Sequence, residues 1–282
     1  MRAWPPGRPV LKWAGGKTQL LEPILRKLPG KIDTYYEPFV GGGAVFFALA
    51  AEGRFERAVL ADRNPDLVEV YRALAENVEK VIEALLAYRY DEVEYYRIRD
   101  QRPRSKIQRA ARLIYLNKTG YNGLYRVNRK GQFNVPFGRY KNPRICDPDN
   151  LRAAARALQQ AEIHVADFEE ICARARTGDA VYLDPPYVPV SKTANFTAYD
   201  RHAFDLKEHE RLARVFAGLA KRRVASVLSN SNTEFTRDLY RRWQCAEVGV
   251  NRSINCEAGG RKGATELLVV NKPLRKAAAA SK

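Results

Sequence analysis

Apolar residues along this chain fall into short runs that stop abruptly. "TYYEPFV", residues 34–40, is β-prone and ends in Gly41-Gly42-Gly43, and "AVFFALA" after it reads as a helix. That unit is strand, glycine loop, helix. A second strand, "RAVLAD", closes on Asp62. From Asp66 the spacing predicts an amphipathic helix, with Leu67, Tyr71, Leu74, Val78, Val81 and Leu85 on one stripe. Further on, "EIHVADF", "DAVYLDPPY", "RVASVLSN" and "ATELLVVN" supply the remaining strands, with a helix around "LKEHERLARVFAGLA". This alternation predicts an α/β fold built on a doubly wound, mostly parallel sheet.

The pattern changes between residues 88 and 149, where Arg, Lys, Tyr, Asn and Gly dominate. The segment opens as a helical stretch and continues as loops with a hairpin around Arg129-Lys130-Gly131. Helix-like "DNLRAAARALQQ" then returns the chain to the sheet. The expected organisation is a catalytic and cofactor domain in two parts, 1–87 and 150–272. A mainly helical, basic inserted domain, 88–149, interrupts it, and a basic tail, 273–282, ends the chain.

Composition narrows the partner. The 282 residues, 45% of them hydrophobic, are enough for a sizeable core and unlike a disordered chain. Lys plus Arg number 49 against 32 Asp plus Glu, a net charge of +17 that favours a polyanion, nucleic acid first. An arginine-rich source would give the same excess with no ligand behind it. "MRAWPPGRPV" holds no apolar signal core and no run is long enough to span a bilayer, so a cytoplasmic protein with no membrane partner is expected. Cys146, Cys172, Cys245 and Cys256 form no Cys-x-x-Cys pair, and His164, His202 and His209 lack ligand spacing. Neither a metal site nor a disulfide framework is expected.

Three stretches could carry chemistry. Gly41-Gly42-Gly43 lets backbone approach a ligand and opens a helix with a partly positive end. Asp62, about 20 residues on, ends the next strand, where a carboxylate can grip a ribose hydroxyl. Phe46 stands where a dinucleotide fingerprint needs its third glycine, which disfavours a pyrophosphate cofactor. A bare strand-to-helix turn is the alternative. In "LKWAGGKTQLL", Gly16-Lys17-Thr18 lacks the earlier glycine of a phosphate-binding loop, since Leu11 is there instead. Lys17 could meet a carboxylate and Trp13 offer an aromatic wall, or the stretch could be a solvated surface loop. In "DPPY", a buried strand ends on Asp184, and Pro185 and Pro186 stiffen the loop after it. An acceptor at Asp184 and the Pro185 carbonyl could bind both hydrogens of an exocyclic purine amine and localise its lone pair. Tyr187 could stack on the extruded base. The alternative is a kinked turn that only ends a strand.

In this order, "LKWAGGK", "EPFVGGGAVFF" and "DPPY" resemble the DNA adenine methyltransferases that use S-adenosylmethionine, nearest to the Dam-type enzymes that methylate adenine in GATC. "ADRNPDLVEVY", "YLNKTGYNGLYRVNRKGQFNVPFGRY", "ANFTAY" and "RSINCEAGGRKGATELL" extend the likeness from about Leu11 to Asn271. The resemblance implies a Rossmann-like methyltransferase fold and S-adenosylmethionine as cofactor. It implies that Trp13, Lys17, Asp62 and Asp184 contact the cofactor and that Gly41, Gly42 and Gly43 lie beneath its methionine part. Asp167 and Phe168 would take its adenine. Asp184, Pro185, Pro186 and Tyr187 would be the catalytic motif, with Asp184 an orienting acceptor. Segment 88–149 would recognise double-stranded DNA: Arg126 reads a guanine, Tyr121, Asn122 and Tyr140 intercalate, fill the vacated space or read flanking bases, and Lys12 and Arg139 also reach the site; a phosphate contact, which positions without specifying, is an equal alternative for each of these arginines and for Lys12. A monomer is expected. Methylation of an RNA base or a protein amide, and a catalytically silent DNA-binding regulator, are the competing readings. Related glutamine methyltransferases carry Asn-Pro-Pro-Tyr, so Asp184 favours a base.

Overall fold

A computed structural model of the chain describes residues 7–13, 15–17, 20–188, 204–250 and 264–273. The first apolar run forms β1 (Ile32–Glu37), after a short helix α1 (Leu21–Lys27), and the helix beyond the glycines is α2 (Ala44–Ala51). β2 (Phe55–Asp62) pairs with β1 in parallel, and α3 (Pro65–Leu86) comes next. The Asn64 side chain accepts from the backbone N–H groups of Asp66 and Leu67, and Pro65 occupies the first turn, where no donor is needed. The expected stripe faces inward: Leu67, Tyr71, Leu74, Val81 and Leu85 are buried, and Val78 is half-buried just past a break in helical backbone at Asn77.

The chain continues through α4 (Glu92–Asp100), α5 (Lys106–Thr119), α6 (Pro148–Leu158), β3 (Ala161–Val165), α7 (Phe168–Ala173) and β4 (Ala180–Leu183). Then come α8 (Leu206–Lys221), β5 (Ala225–Ser231), α9 (Glu234–Tyr240), β6 (Trp243–Val250) and β7 (Ala264–Pro273). The strands form one sheet in the order β3-β2-β1-β4-β5-β7-β6. The first five positions are parallel, whereas β7 runs antiparallel to both β5 and β6. The chain enters at β1, winds outward to β3, then crosses back to β4 on the other side of β1. Strand order therefore reverses between β1 and β4, and ligands of open α/β sheets bind at the carboxyl ends of such a pair.

The strands alternate their side chains between two cores. Tyr35, Leu60, Tyr182, Val227 and Leu268 join the side carrying α2, α3, α5 and α6. Tyr36, Val59, Val181, Leu183, Leu228 and Val269 join the side carrying α7, α8 and α9. Burial on both faces is why Ala180–Leu183 reads as an unbroken apolar run.

Within 88–149, α5 lies along α3, and Ala111, Ile114 and Tyr115 share its core. The predicted turn is present, closed by Asn128 N–H to Gln132 O (2.8 Å) with Gly131 at φ +71°. Its arms meet only at isolated bridges, Val127 with Phe133 and Gly120 with Phe137. Pro136 in one arm has no N–H to extend the pairing, and only its carbonyl is used, by Tyr121 N–H.

Four elements escape the pattern reading. α1, α7 and α9 are short. β6, at a sheet edge, is largely exposed and so carries little apolar alternation. "ANFTAY", most of "RSINCEAGGRKGATELL", Thr18, Cys256, His202 and residues 274–282 lie outside the described residues. No helix among the described residues is long and apolar enough to cross a membrane.

Candidate active site

The carboxyl end of β1 sets the glycine loop. Val40 N–H bonds to Ala61 O at 2.9 Å, and Gly41 and Gly43 take φ +45° and +70°. A Cβ on Gly41 would stand 2.9 Å from Trp13 Cδ1, so only glycine lets the indole lie this close. Asp62, ending β2, holds the loop from beside it: its carboxylate accepts from Gly41 N–H (3.1 Å) and Asn64 N–H (2.9 Å). Tyr71 on α3 donates its hydroxyl to Gly41 O at 2.6 Å. Burial raises the Asp62 carboxyl, and the backbone N–H groups pull the other way.

Glu37 closes β1 at 2% exposure. One carboxyl oxygen accepts from the Tyr35 hydroxyl (2.9 Å) and from Phe46 N–H in the first turn of α2 (3.1 Å). Burial pushes this carboxyl up to about 8, so it keeps its proton at neutral pH.

β4 ends on Asp184, whose two oxygens are held by different elements. Lys17 Nζ lies 2.8 Å from Oδ2, and Ser229 on β5 donates to Oδ1 at 2.9 Å. The Tyr182 hydroxyl meets the same Ser229 oxygen at 2.8 Å. The Lys17 side chain is 5% exposed and that of Asp184 20%. The carboxylate is therefore inside the protein yet open at one edge. Burial raises its pKa, and Lys17 opposes that rise. The loop beyond is fixed from β5 as well: Asn230 Oδ1 accepts from Val188 N–H (3.3 Å), and Ser231 donates to Val188 O (2.7 Å). Tyr187 donates its hydroxyl to Glu266 on β7 at 2.6 Å, and Lys17 Nζ sits 4.8 Å from its ring centroid.

Asp167 and Phe168 start α7 beyond β3. Asp167 caps the helix through Glu169 N–H (2.9 Å) and takes a two-pronged grip from Arg211 (2.8 Å each) and a bond from Arg63. Burial would raise this carboxyl, but the two guanidiniums hold it below the usual range. The Phe168 ring is buried against Phe39 and Phe204, with the Arg211 guanidinium 4.1 Å from its centroid. What Phe168 offers a ligand is backbone rather than its ring.

The candidate DNA-reading residues occupy the turn after α5. Tyr121 is 53% exposed, and Asn122 is exposed in the left-handed region at φ +54°. Arg126 is exposed and aimed by Asn134, which accepts from its Nε (2.8 Å) and Nη2 (3.0 Å). Arg139 is exposed, whereas Tyr140 is half-buried, its hydroxyl donated to Gly120 O at 2.8 Å. The Lys12 ammonium lies 4.7 Å from the Tyr140 ring centroid.

Trp13, Lys17, Gly41–Gly43, Asp62 and Asp184–Tyr187 thus converge around the β1–β4 switch point. Several contributors had no reading as site residues: Glu37, Ser229, Asn230, Ser231 and Glu266, and Tyr71, which was read only as part of the α3 stripe. Their one visible signal is polarity at the ends of apolar runs, as in "SNS" after "ASVL" and Glu266 before "LLVV".

This arrangement agrees with comparison to known proteins. The profile described as D12 class N6 adenine-specific DNA methyltransferase matches residues 13–254. The chain belongs to that family. It is 42% identical over 285 residues to the type II methyltransferase M.MjaIII of Methanocaldococcus jannaschii, covering 94% of this chain and 99% of that one. It is 39% identical over 274 residues to the type II methyltransferase M1.LlaDCHI of Lactococcus lactis (94% and 95% covered). With the DNA adenine methylase of Escherichia coli K12 it shares 40% identity over 272 residues (94% and 96%).

The chain is accordingly an adenine-specific DNA methyltransferase, and the family uses S-adenosylmethionine. The residues present fit that cofactor. The Trp13 indole lies on the glycine loop as an aromatic wall, Asp62 ends the neighbouring strand, and the carboxyl groups of Asp184 and Glu266 around the single ammonium of Lys17 suit a cationic group.

Proposed function

We propose that this methyltransferase acts on the adenine of GATC in duplex DNA, and that its site residues divide the work between cofactor, target base and flanking duplex. Trp13, Lys17 and Gly41–Gly43 hold the methionine portion of S-adenosylmethionine, Asp62 its ribose, and Asp167 with the Phe168 backbone its adenine. When bound, that cofactor supplies a methyl group already activated on a sulfonium. The protein has to bring an N6 amine into line with it and hold the amine's protons. The N6 lone pair is spread into the purine ring, which makes it a poor nucleophile. The open edge of Asp184 accepts a hydrogen bond from N6–H and localises that lone pair. Lys17 keeps the carboxylate charged enough to do so inside the protein. Formation of the N6–C bond would go with breaking of the cofactor's S–CH3 bond, and the surplus N6 proton, held along the hydrogen bond to Asp184, would pass to solvent.

The target base leaves the duplex to reach Asp184, and Tyr187 stacks on it. Lys17 covers one face of the Tyr187 ring, which leaves the other for adenine. Arg126 reads a guanine edge, and Tyr121 and Asn122 take the space beside the vacated base. Lys12, Arg139 and Tyr140 contribute at the rim. The net charge of +17 supports phosphate contacts whose strength falls steeply with salt. GATC itself rests on the likeness of "YLNKTGYNGLYRVNRKGQFNVPFGRY" to the Dam-type recognition segment.

The observation that carries the catalytic assignment is the Asp184 carboxylate at the end of β4, 20% exposed and 2.8 Å from Lys17. The test of the target is to map modified adenines by long-read sequencing in a methylation-free host expressing the chain. Modification confined to GATC is expected, and modification of another motif overturns it.

A further inference from the structure

Lys12, Trp13 and Lys17 touch three working parts in order. Lys12 runs across the DNA-reading turn: a Cβ on Gly123 would stand 2.6 Å from its Cδ, and its ammonium lies on the Tyr140 ring. Trp13 packs between Tyr125, 5.4 Å away on the reading side, and Gly41 of the cofactor loop. Lys17 meets Asp184.

One buried side chain joins Lys12 to the reading turn. Asn117, near the end of α5, is 1% exposed. Its Oδ1 accepts from Lys12 N–H, and its Nδ2 donates to Lys12 O and to Gly123 O, all at 2.8 Å. Toward Lys12 the amide behaves as a neighbouring strand would, with one donor and one acceptor matched to one residue's backbone. Its second N–H then reaches the turn that carries Tyr121 and Asn122. Asparagine alone supplies both donors and the acceptor at this length.

We propose that Asn117 is a positioning residue that couples DNA recognition to cofactor binding. A shift of the Gly120–Gly123 turn on contacting duplex moves Lys12 with it. Lys12 is continuous with Trp13 over the glycine loop and, four residues further, with the lysine that charges Asp184. Binding at either site then changes affinity at the other by the same factor. This rests on the reading of the turn as the DNA-reading element.

The test is calorimetric titration of S-adenosyl-L-homocysteine, with and without a duplex carrying the sequence that the wild-type chain methylates. In wild type, duplex changes the Kd for this probe by about fivefold or more, the usual lower range for coupled sites. In Asn117→Ala that ratio falls to near one while each ligand still binds alone. Gly123→Ala, which presses a methyl into the flexible Lys12 side chain at a turn residue with φ +62°, lowers the ratio too and serves if Asn117→Ala does not fold. A merely structural role for Asn117 would lower the melting temperature and leave the ratio unchanged. An unchanged ratio in a folded variant, or a ratio of one in wild type, overturns the proposal. If instead Arg126→Ala keeps the wild-type sequence preference, the reading of the turn fails while the measured ratio still stands.

Discussion

At the carboxyl end of β4, Asp184 is gripped by Lys17 and Ser229, and the loop after it is tied to Asn230, Ser231 and Glu266. In the turn after α5, Tyr121, Asn122, Arg126 and Arg139 stand in solvent on arms joined by isolated bridges. On the roles proposed above, the chemical group is fixed before any ligand arrives, whereas the reading groups are left where a base edge can still select them. The reasons differ. A carboxylate that must align a poor nucleophile gains from preorganisation in a low-dielectric site. A guanidinium that must discriminate bases gains from hydrogen-bonding capacity left over, and Arg126 commits only Nε and Nη2 to Asn134.

The sharpest way to break this contrast is at Asp184. Asp184→Ala should lower methyl transfer by about 10³-fold or more, at the upper end of what one preorganised electrostatic contact contributes. Duplex affinity in a gel-shift assay should change little. Activity near wild type would show that the acceptor lies elsewhere. The same substitution leaves the nearly buried Lys17 ammonium without its partner, so the melting temperature should drop as well.

Arg126→Ala addresses the other region, with a smaller expected effect. Discrimination at one guanine should weaken by about 1–3 kcal/mol, roughly five- to 150-fold in relative kcat/KM for matched and mismatched duplexes. Stability should stay within about 0.5 kcal/mol, as for an exposed side chain. A large fall in melting temperature with intact discrimination would reverse the roles assigned to the two regions.

A third effect is expected in how stability depends on pH. Glu37, ordinarily near 4.5 and pushed up to about 8 by burial, prefers its proton in the folded chain. Its contribution is complete below about 4.5 and is lost as pH rises through about 8. His209, ordinarily near 6.5 and pushed down to about 4 by burial, contributes above 6.5 and loses it as pH falls through about 4. Melting temperature should therefore decline on both sides of a mildly acidic maximum. Glu37→Gln should flatten the alkaline limb and leave the acid limb in place. An alkaline limb unchanged in that variant would mean that Glu37 is already ionised.

Much of this was legible along the chain. The strand-loop-helix unit at Gly41–Gly43, the strand ending on Asp62 and the stripe on α3 are all present, because those features are local in sequence, although β1 stops at Glu37 and not at Val40, where the apolar run ends. α3 begins one residue before Asp66 because Pro65 suits a first turn. The hairpin around Arg129–Gly131 was visible from its turn residues, but not that Pro136 would reduce its pairing to bridges. Glu37 was visible as a letter in "EPF", while its protonation depends on burial that no neighbouring residue reveals.

The sequence by itself determined the alternation of strands and helices, the glycine and proline stops at their ends, the basic charge and the order of the family's motifs. Each depends on backbone propensity and on residues a few positions apart. Only the tertiary structure decided which groups meet: Lys17 with Asp184, Asn117 with Lys12, and Tyr187 with Glu266. Those partners are separated by long stretches of chain, and what joins them is the winding of the sheet. That winding brings the carboxyl ends of β1, β4 and β5 together and places β7 beside them, and the surrounding burial then sets the charge each group can carry.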